Sequence, residues 1–341
     1  GKTVLAAWLI AQRKTNVLIL VHRRQLMEQW QARLSTFLGT DPNEIGLIGG
    51  GKRKPTSLID IGVIQSLNKK GTVDDLVANY GYVIVDECHH ISAKSFEDVL
   101  RMCPACFITG LSATLTRRDG HHPIVFMQCG PVRYRAQDKK HAMQRPFDHK
   151  VVVHKCTEVE FKEDEEETNI SDIYNRLIHS PGRNRRIADD VIEAYQAGRS
   201  PLVLTDRIYH LEILSEMLSD KIDRIVLLKG GLGKKKLKII QGKLDEWKDL
   251  PHVVLATGRY LGEGYDNPRL DTLFLAMPVS WKGILSQYAG RLHRLHHDKS
   301  EVCIHDYVDE NNPVLVRMFG RRIKGYKALG YQLPSTENFL L

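Results

Sequence analysis

The sequence predicts an α/β fold in two lobes, each a mostly parallel sheet covered by helices. Three observations carry that expectation. Residues 1–135 alternate short, continuous apolar runs with amphipathic stretches, and the same alternation restarts at residue 181. The runs are apolar throughout instead of alternating, as in strands buried on both faces. Between the two halves, residues 136–180 read as an irregular linker. It contains "EVEFKEDEEE" (158–167), in which seven of ten residues are acidic, a pattern of solvated chain.

Taken in order, "NVLILV" (16–21) reads as a buried strand and "RRQLMEQWQARLSTFL" (23–38) as a helix with Leu26, Trp30 and Leu34 on one face. "LIDIGVIQSL" (58–67), "YVIVDE" (82–87) and "CFITGLSAT" (106–114) are further strands. In the second half, "RNRRIADDVIEAYQAG" (183–198) is a helix with Gly198 as its C-cap. A strand "PLVLTD" (201–206), a helix "IYHLEILSEMLSD" (208–220) and strands at 224–230, 253–258 and 271–278 follow. The second lobe is expected to span 181–315, with a basic tail or helix over 316–341. In that tail "RMFGRRIKGYKALGY" (317–331) interleaves Phe319, Tyr326 and Tyr331 with five cations. Such a stretch could stack on nucleic acid. An amphipathic helix that packs its aromatics and leaves its lysines and arginines in water is the favoured expectation.

At 341 residues the chain exceeds one ordinary core. Hydrophobic and charged contents of 42% and 26% are those of a soluble globular protein. No apolar run approaches the ~18 residues of a membrane span. Arg13 and Lys14 interrupt the first apolar stretch, which excludes a secretory signal. Six scattered cysteines suggest a reducing, cytoplasmic setting. "CPAC" (103–106) is half of a zinc pattern at most, because structural zinc takes two paired clusters, so ordinary thiols are expected. The net charge of +8 suits a polyanionic partner.

The chemistry-bearing stretches begin at the first residue. "GKT" is the second half of the phosphate loop GxxxxGK[ST], whose lysine reaches the β- and γ-phosphates and whose hydroxyl ligates Mg²⁺. Gly1, Lys2 and Thr3 would fill those positions. "VIVDECHH" (83–90) ends an apolar strand on two carboxylates, at the end of a parallel sheet where ligands bind. Asp86 suits the metal and Glu87 the attacking water. In "SQYAGRLHR" (286–294) a helix would align Gln287, Arg291 and Arg294 on one face, where guanidinium groups could meet phosphate charge. A plain basic helix in solvent is the alternative. "GEGYDNP" (262–268) is a glycine-rich turn carrying Gly264 and Asp266.

In their order along the chain these stretches resemble the motifs of superfamily 2 helicases and translocases: GKT motif I, DECHH motif II, SAT (112–114) motif III, GEGYD (262–266) motif V and QYAGRLHR (287–294) motif VI. "VHRRQLMEQW" (21–30) looks like motif Ia, and "IGVIQSL" (61–67) occupies the next position that faces nucleic acid. DECH and "SATLTRRDG" (112–120) are closer to XPB-like repair helicases and the helicase subunits of type III restriction enzymes than to DEAD-box proteins. The resemblance implies two RecA-like lobes with ATP and Mg²⁺ held between them and nucleic acid, DNA favoured over RNA, as partner. It implies that Lys2 holds phosphates, Thr3 and Asp86 the Mg²⁺, and that Glu87 activates water. His89 would couple to Gln287, and Ser112 and Thr114 would link hydrolysis to lobe movement. Gly264 and Asp266 would line the nucleotide cleft, Arg291 and Arg294 would act as fingers, and His22, Arg23, Arg24, Gln65 and Ser66 would face nucleic acid. It also implies a chain that begins inside motif I, without the strand before it, so that the piece alone is inactive and its first sheet has an interior gap. An RNA-directed motor and a catalytically silent nucleic-acid-binding scaffold remain alternatives. Nuclease, methylase or primase partner proteins are left open.

Overall fold

The structure, a computed structural model, describes residues 2–69, 71–90, 94–112, 122–135, 145–161, 169–258, 267–279 and 282–334. The chain divides into two compact units, Gly1–Arg135 and Ala136–Leu341. In the first, α1 (Lys2–Arg13), β1 (Val17–Val21), α2 (Arg24–Leu38), β2 (Ile45–Gly49), β3 (Lys52–Lys54), β4 (Ile59–Val63) and α3 (Ile64–Leu67) come in order. A small hairpin of β5 (Asn68–Lys69) and β6 (Thr72–Val73) follows, then β7 (Tyr82–Asp86), α4 (Lys94–Arg101), β8 (Phe107–Leu111) and α5 (His122–Cys129).

The sheet runs β3-β2-β4-β1-β7-β8 and is parallel except for β3. β1 and β7 are buried along their whole length, because helices cover both faces. Ala6 and Ile10 of α1 with Leu26, Met27, Trp30 and Leu34 of α2 cover one face, and Phe96, Val99, Leu100 and Val125 lie on the other. Among the described residues the expected interior gap is not there. Each strand is hydrogen-bonded to the next in one continuous row, and β8 ends that row as an edge. A second correction concerns 58–67, read as one strand: β4 stops at Val63 and Ile64–Leu67 turns into α3. Buried Asp60 anchors this region by accepting from the Thr56 and Ser57 amides and from the Tyr80 hydroxyl.

The second unit holds β9 (Asp148–Cys156), α6 (Ile170–Ile178), α7 (Pro181–Gln196), β10 (Pro201–Thr205), α8 (Ile208–Ser219), β11 (Ile225–Leu228) and α9 (Lys234–Glu246). β12 (Val253–Thr257), β13 (Thr272–Leu275), α10 (Lys282–Leu292), β14 (Glu301–Asp309) and α11 (Pro313–Leu329) complete it. Its sheet, β11-β12-β10-β13-β14-β9, is parallel throughout. The described part of 136–180 is therefore not a linker. β9 pairs with β14 over nine residues, and α6 packs Ile173 and Leu177 into the unit. As an edge strand it exposes Asp148, Lys150 and Val152, so its apolar signal is diluted.

Local signals account for the helix ends. Ser180 caps α7 through the Arg183 amide with Pro181 at the first position, and Gly198 takes φ 79° beyond its end. In α11 the aromatics Phe319, Tyr326 and, just beyond, Tyr331 are buried, but Arg322 is buried as well. Arg322 Nε donates to Asp306 Oδ2 at 2.7 Å and Nη1 to the Val279 carbonyl at 3.1 Å, which corrects the expectation of a wholly solvated basic face. Among the described residues no helix is long and apolar enough to cross a membrane.

Candidate nucleotide and nucleic-acid sites

Parallel register brings the carboxyl ends of the parallel strands of the first sheet together. Asp86, the last residue of β7, pairs with Leu111 of β8, and Leu20 of β1 pairs with Val85. The first turn of α1 points Lys2 at the same place. Its ammonium donates to Glu87 Oε1 and lies 3.9 Å from Asp86 Oδ1. Asp86 is 8% exposed, and its Oδ1 accepts from the Glu87 amide at 3.0 Å. Burial pushes the Asp86 carboxyl above the usual carboxylate range, opposed by the Lys2 ammonium. Glu87 holds φ at 48°, a left-handed conformation rare outside glycine that aims its side chain back at Lys2. His89 follows on the next turn, its Nδ1 2.8 Å from Ser112 Oγ after β8 and 3.3 Å from Glu87 Oε2.

Five of the residues singled out from sequence, Lys2, Asp86, Glu87, His89 and Ser112, thus form one assembly in the first unit. Thr3 lies beside Lys2 on the first turn of α1, half-buried. The fit to a hard divalent cation rests on donor chemistry: a carboxylate and a hydroxyl on adjoining elements, beside an ammonium suited to phosphate. Gly1, Thr114, Gly264 and Asp266 lie outside the described residues.

Sequence reasoning missed a sixth member. Trp30, counted only as core, is 3% exposed and donates its indole Nε1–H to Asp86 Oδ2 at 2.7 Å. A buried tryptophan needs a partner for its N–H, and that was the available signal. The nearby thiols are inert. Burial raises Cys88 and Cys129 to about 12 and Cys103 to about 11.

The motif VI residues lie in the second unit. Gln287 and Arg291 sit on α10, both partly exposed. Arg294 does not share their helical face, because α10 ends at Leu292 and Arg294 falls in the bend beyond it.

The five residues proposed to face nucleic acid gather at the same end of the first sheet. Val21 pairs with Val63, so His22, Arg23 and Arg24 after β1 lie beside Gln65 and Ser66 after β4. Gln65 and Ser66 arrive on the turn of α3 instead of on a strand. Gly49 and Gly50, which sequence reasoning passed over, close on this group. Gly50 has φ 60° and its backbone sits so near Arg24 that an added Cβ would come within 2.5 Å of Arg24 Cδ. The run "GGGKRK" (49–54) was the signal: a turn with room for close approach, followed by the exposed cations of β3.

The chain is similar to known proteins in sequence and in fold. Residues 1–117 match the family described as type III restriction enzyme, res subunit. Over 339 residues the chain is 24% identical to protein L396 of Acanthamoeba polyphaga mimivirus, which carries the name of an ATP-dependent RNA helicase, covering 98% of this chain and 63% of that protein. The chain therefore spans less than two thirds of that relative's length. Over 135 residues it is 32% identical to XPB2 of Sulfurisphaera tokodaii, named a DNA 3'-5' translocase, covering 40% of this chain and 29% of that protein. In structure it resembles Dbp5 of S. cerevisiae, solved bound to RNA and ADP BeF3, with a TM-score of 0.66 at 12% identity over 99% of this chain and 84% of that one. The fold of both units is thus RecA-like. The match over residues 1–117 and the similarity to XPB2 support a superfamily 2 helicase core that resembles XPB-like proteins and type III restriction res subunits.

Proposed function

We propose that this chain is the motor core of an ATP-dependent helicase or translocase acting on duplex DNA. The observation that carries the reading is the Lys2 ammonium held against Glu87 and Asp86 at the end of β7. The Lys2 ammonium neutralises these carboxylates. Against the greater charge of the ATP phosphates Lys2 would turn to them, leaving the Glu87 carboxylate to orient a water and accept its proton as the water attacks the γ-phosphorus and the bond to the β,γ-bridging oxygen breaks, releasing ADP and phosphate. Asp86 and Thr3 would hold Mg²⁺, which would supply charge neutralisation to the phosphates. The indole of Trp30 keeps Asp86 oriented, and His89 links Glu87 to Ser112. Arg291 and Arg294 are the candidates to stabilise charge that develops on the transferred phosphoryl group.

Preference for DNA is supported by the stretch shared with XPB2. RNA is the second reading, favoured by L396, which aligns along 98% of this chain. Phosphate release by the natural full-length protein, measured with duplex DNA, single strands and RNA, tests both. Stimulation by DNA is expected. Stimulation by RNA alone selects the second reading, and turnover indifferent to any nucleic acid rejects the motor.

A further inference from the structure

Arg294 poses a problem of precision. A finger must be held to within a fraction of an ångström, yet Arg294 lies beyond the last turn of α10, where helical hydrogen bonds no longer fix its backbone. The last carbonyls of a helix also lack intrahelical partners. The structure answers both needs with one side chain. Lys299, 4% exposed, sends its ammonium back under the helix end and donates to the carbonyls of Leu292 at 2.8 Å and Arg294 at 2.8 Å. Its third donor goes to the carbonyl of Pro268 at 2.7 Å, at the start of the segment leading into β13.

All three protons of the ammonium are thus spent on backbone carbonyls. The positive charge also lies at the negative end of the α10 dipole. The residue is fixed in turn. Its own amide donates to the His296 carbonyl at 3.2 Å, its ammonium lies 5.7 Å from the ring centroid of buried Phe147, and β14 begins two residues later at Glu301. On the Pro268 side, the neighbouring Asn267 accepts from the Arg269 amide at 3.1 Å and faces His252 at 2.8 Å. The clamp therefore spans from the exit of α10 to a rigid corner of the sheet.

We propose that Lys299 is a positioning residue for Arg294: by holding the Leu292, Arg294 and Pro268 carbonyls together it fixes where the arginine leaves the helix relative to Pro268 at the start of the segment leading into β13. The inference rests on the proposed role of Arg294 in ATP turnover. A buried lysine here could instead only close off a helix end, so the test has to separate geometry from stability.

The test is a double-mutant cycle on the natural full-length protein, pairing Lys299→Met with Arg294→Ala. Nucleic-acid-stimulated phosphate release is measured below the onset of melting, with thermal midpoints recorded in parallel. Lys299→Met keeps the stem and removes the donors. It should lower kcat by about 10²-fold, as a displacement of about 1 Å does, with KM for ATP changed by less than a factor of about three. In the Arg294→Ala background the same change should lower kcat by no more than about twofold further, while the drop in thermal midpoint persists in both backgrounds. Lys299→Gln, which retains two N–H donors, should give an intermediate loss and serves as the test variant if Lys299→Met does not fold. Full turnover in Lys299→Met, or equal fold-losses in both backgrounds, overturns the inference. If Arg294→Ala itself is silent, the proposed role of the finger fails and the inference falls with it. A strong Arg294→Ala effect beside a silent Lys299 variant sinks the inference alone.

Discussion

Replacing Trp30 with phenylalanine isolates one contact at the candidate nucleotide site. The indole N–H donates to Asp86 Oδ2 over 2.7 Å, with both residues buried. Phenylalanine keeps most of the packing against Leu26 and Leu34 but cannot donate. Loss of a hydrogen bond to a charged group costs about 1.5–3 kcal/mol, and the missing part of the ring leaves a small cavity worth on the order of 1 kcal/mol. The first unit should lose about 3 kcal/mol of stability. The same bond favours the ionised carboxylate, whose carboxyl burial already pushes upward. Its loss should raise that carboxyl further. The acid limb of the pH–rate profile for phosphate release should move upward, and more Mg²⁺ should be needed for half-maximal turnover. If Trp30→Phe melts earlier but keeps the acid limb and Mg²⁺ dependence of the parent, Trp30 is a packing residue and nothing more.

Three further outcomes are expected. Binding to duplex nucleic acid should fall steeply with salt, and Arg24→Ala should weaken it uniformly across sequences and reduce the salt slope by about one; an unchanged slope removes Arg24 from the interface. Gly50→Ala should weaken the same binding, because its Cβ would force Arg24 aside at a φ of 60°; unchanged binding places Arg24 elsewhere in the complex. The second unit should be acid-labile, since burial lowers His210 and His305 to about 3 and His293 to about 2. Between those values and the ordinary 6.5 the unfolded chain takes up protons that the folded one refuses, so stability falls as pH drops, by about 2 kcal/mol per histidine at pH 5. A thermal midpoint of that unit equal at pH 7 and pH 5 contradicts this.

Legibility followed burial and locality. β1 and β7 read plainly because five consecutive buried residues leave no alternative to a doubly covered strand. The assembly of Lys2, Asp86 and Glu87 was legible because the phosphate loop and the strand-ending carboxylates are fixed by sequence order and by the parallel sheet. β9 was hidden because an edge strand alternates exposed polar residues with buried ones. Arg294 was misplaced on a helix face, since the 291–294 spacing continues the periodicity past Leu292, where α10 ends. Arg322 looked like one more solvated cation until its partner Asp306, sixteen residues earlier on another element, came into contact. Trp30 and Lys299 share one cause: each acts through a tertiary hydrogen bond, which apolar periodicity and charge counts do not encode.

The central claim is that Glu87, released from Lys2 by nucleotide, prepares the attacking water. The most direct measurement is steady-state phosphate release by the natural full-length protein against its Glu87→Gln variant, with nucleic acid and Mg²⁺ saturating and ATP binding followed separately. The account predicts a loss of turnover of about 10³-fold with ATP and nucleic acid still bound. Turnover within a few-fold of the parent, with binding intact, would contradict it.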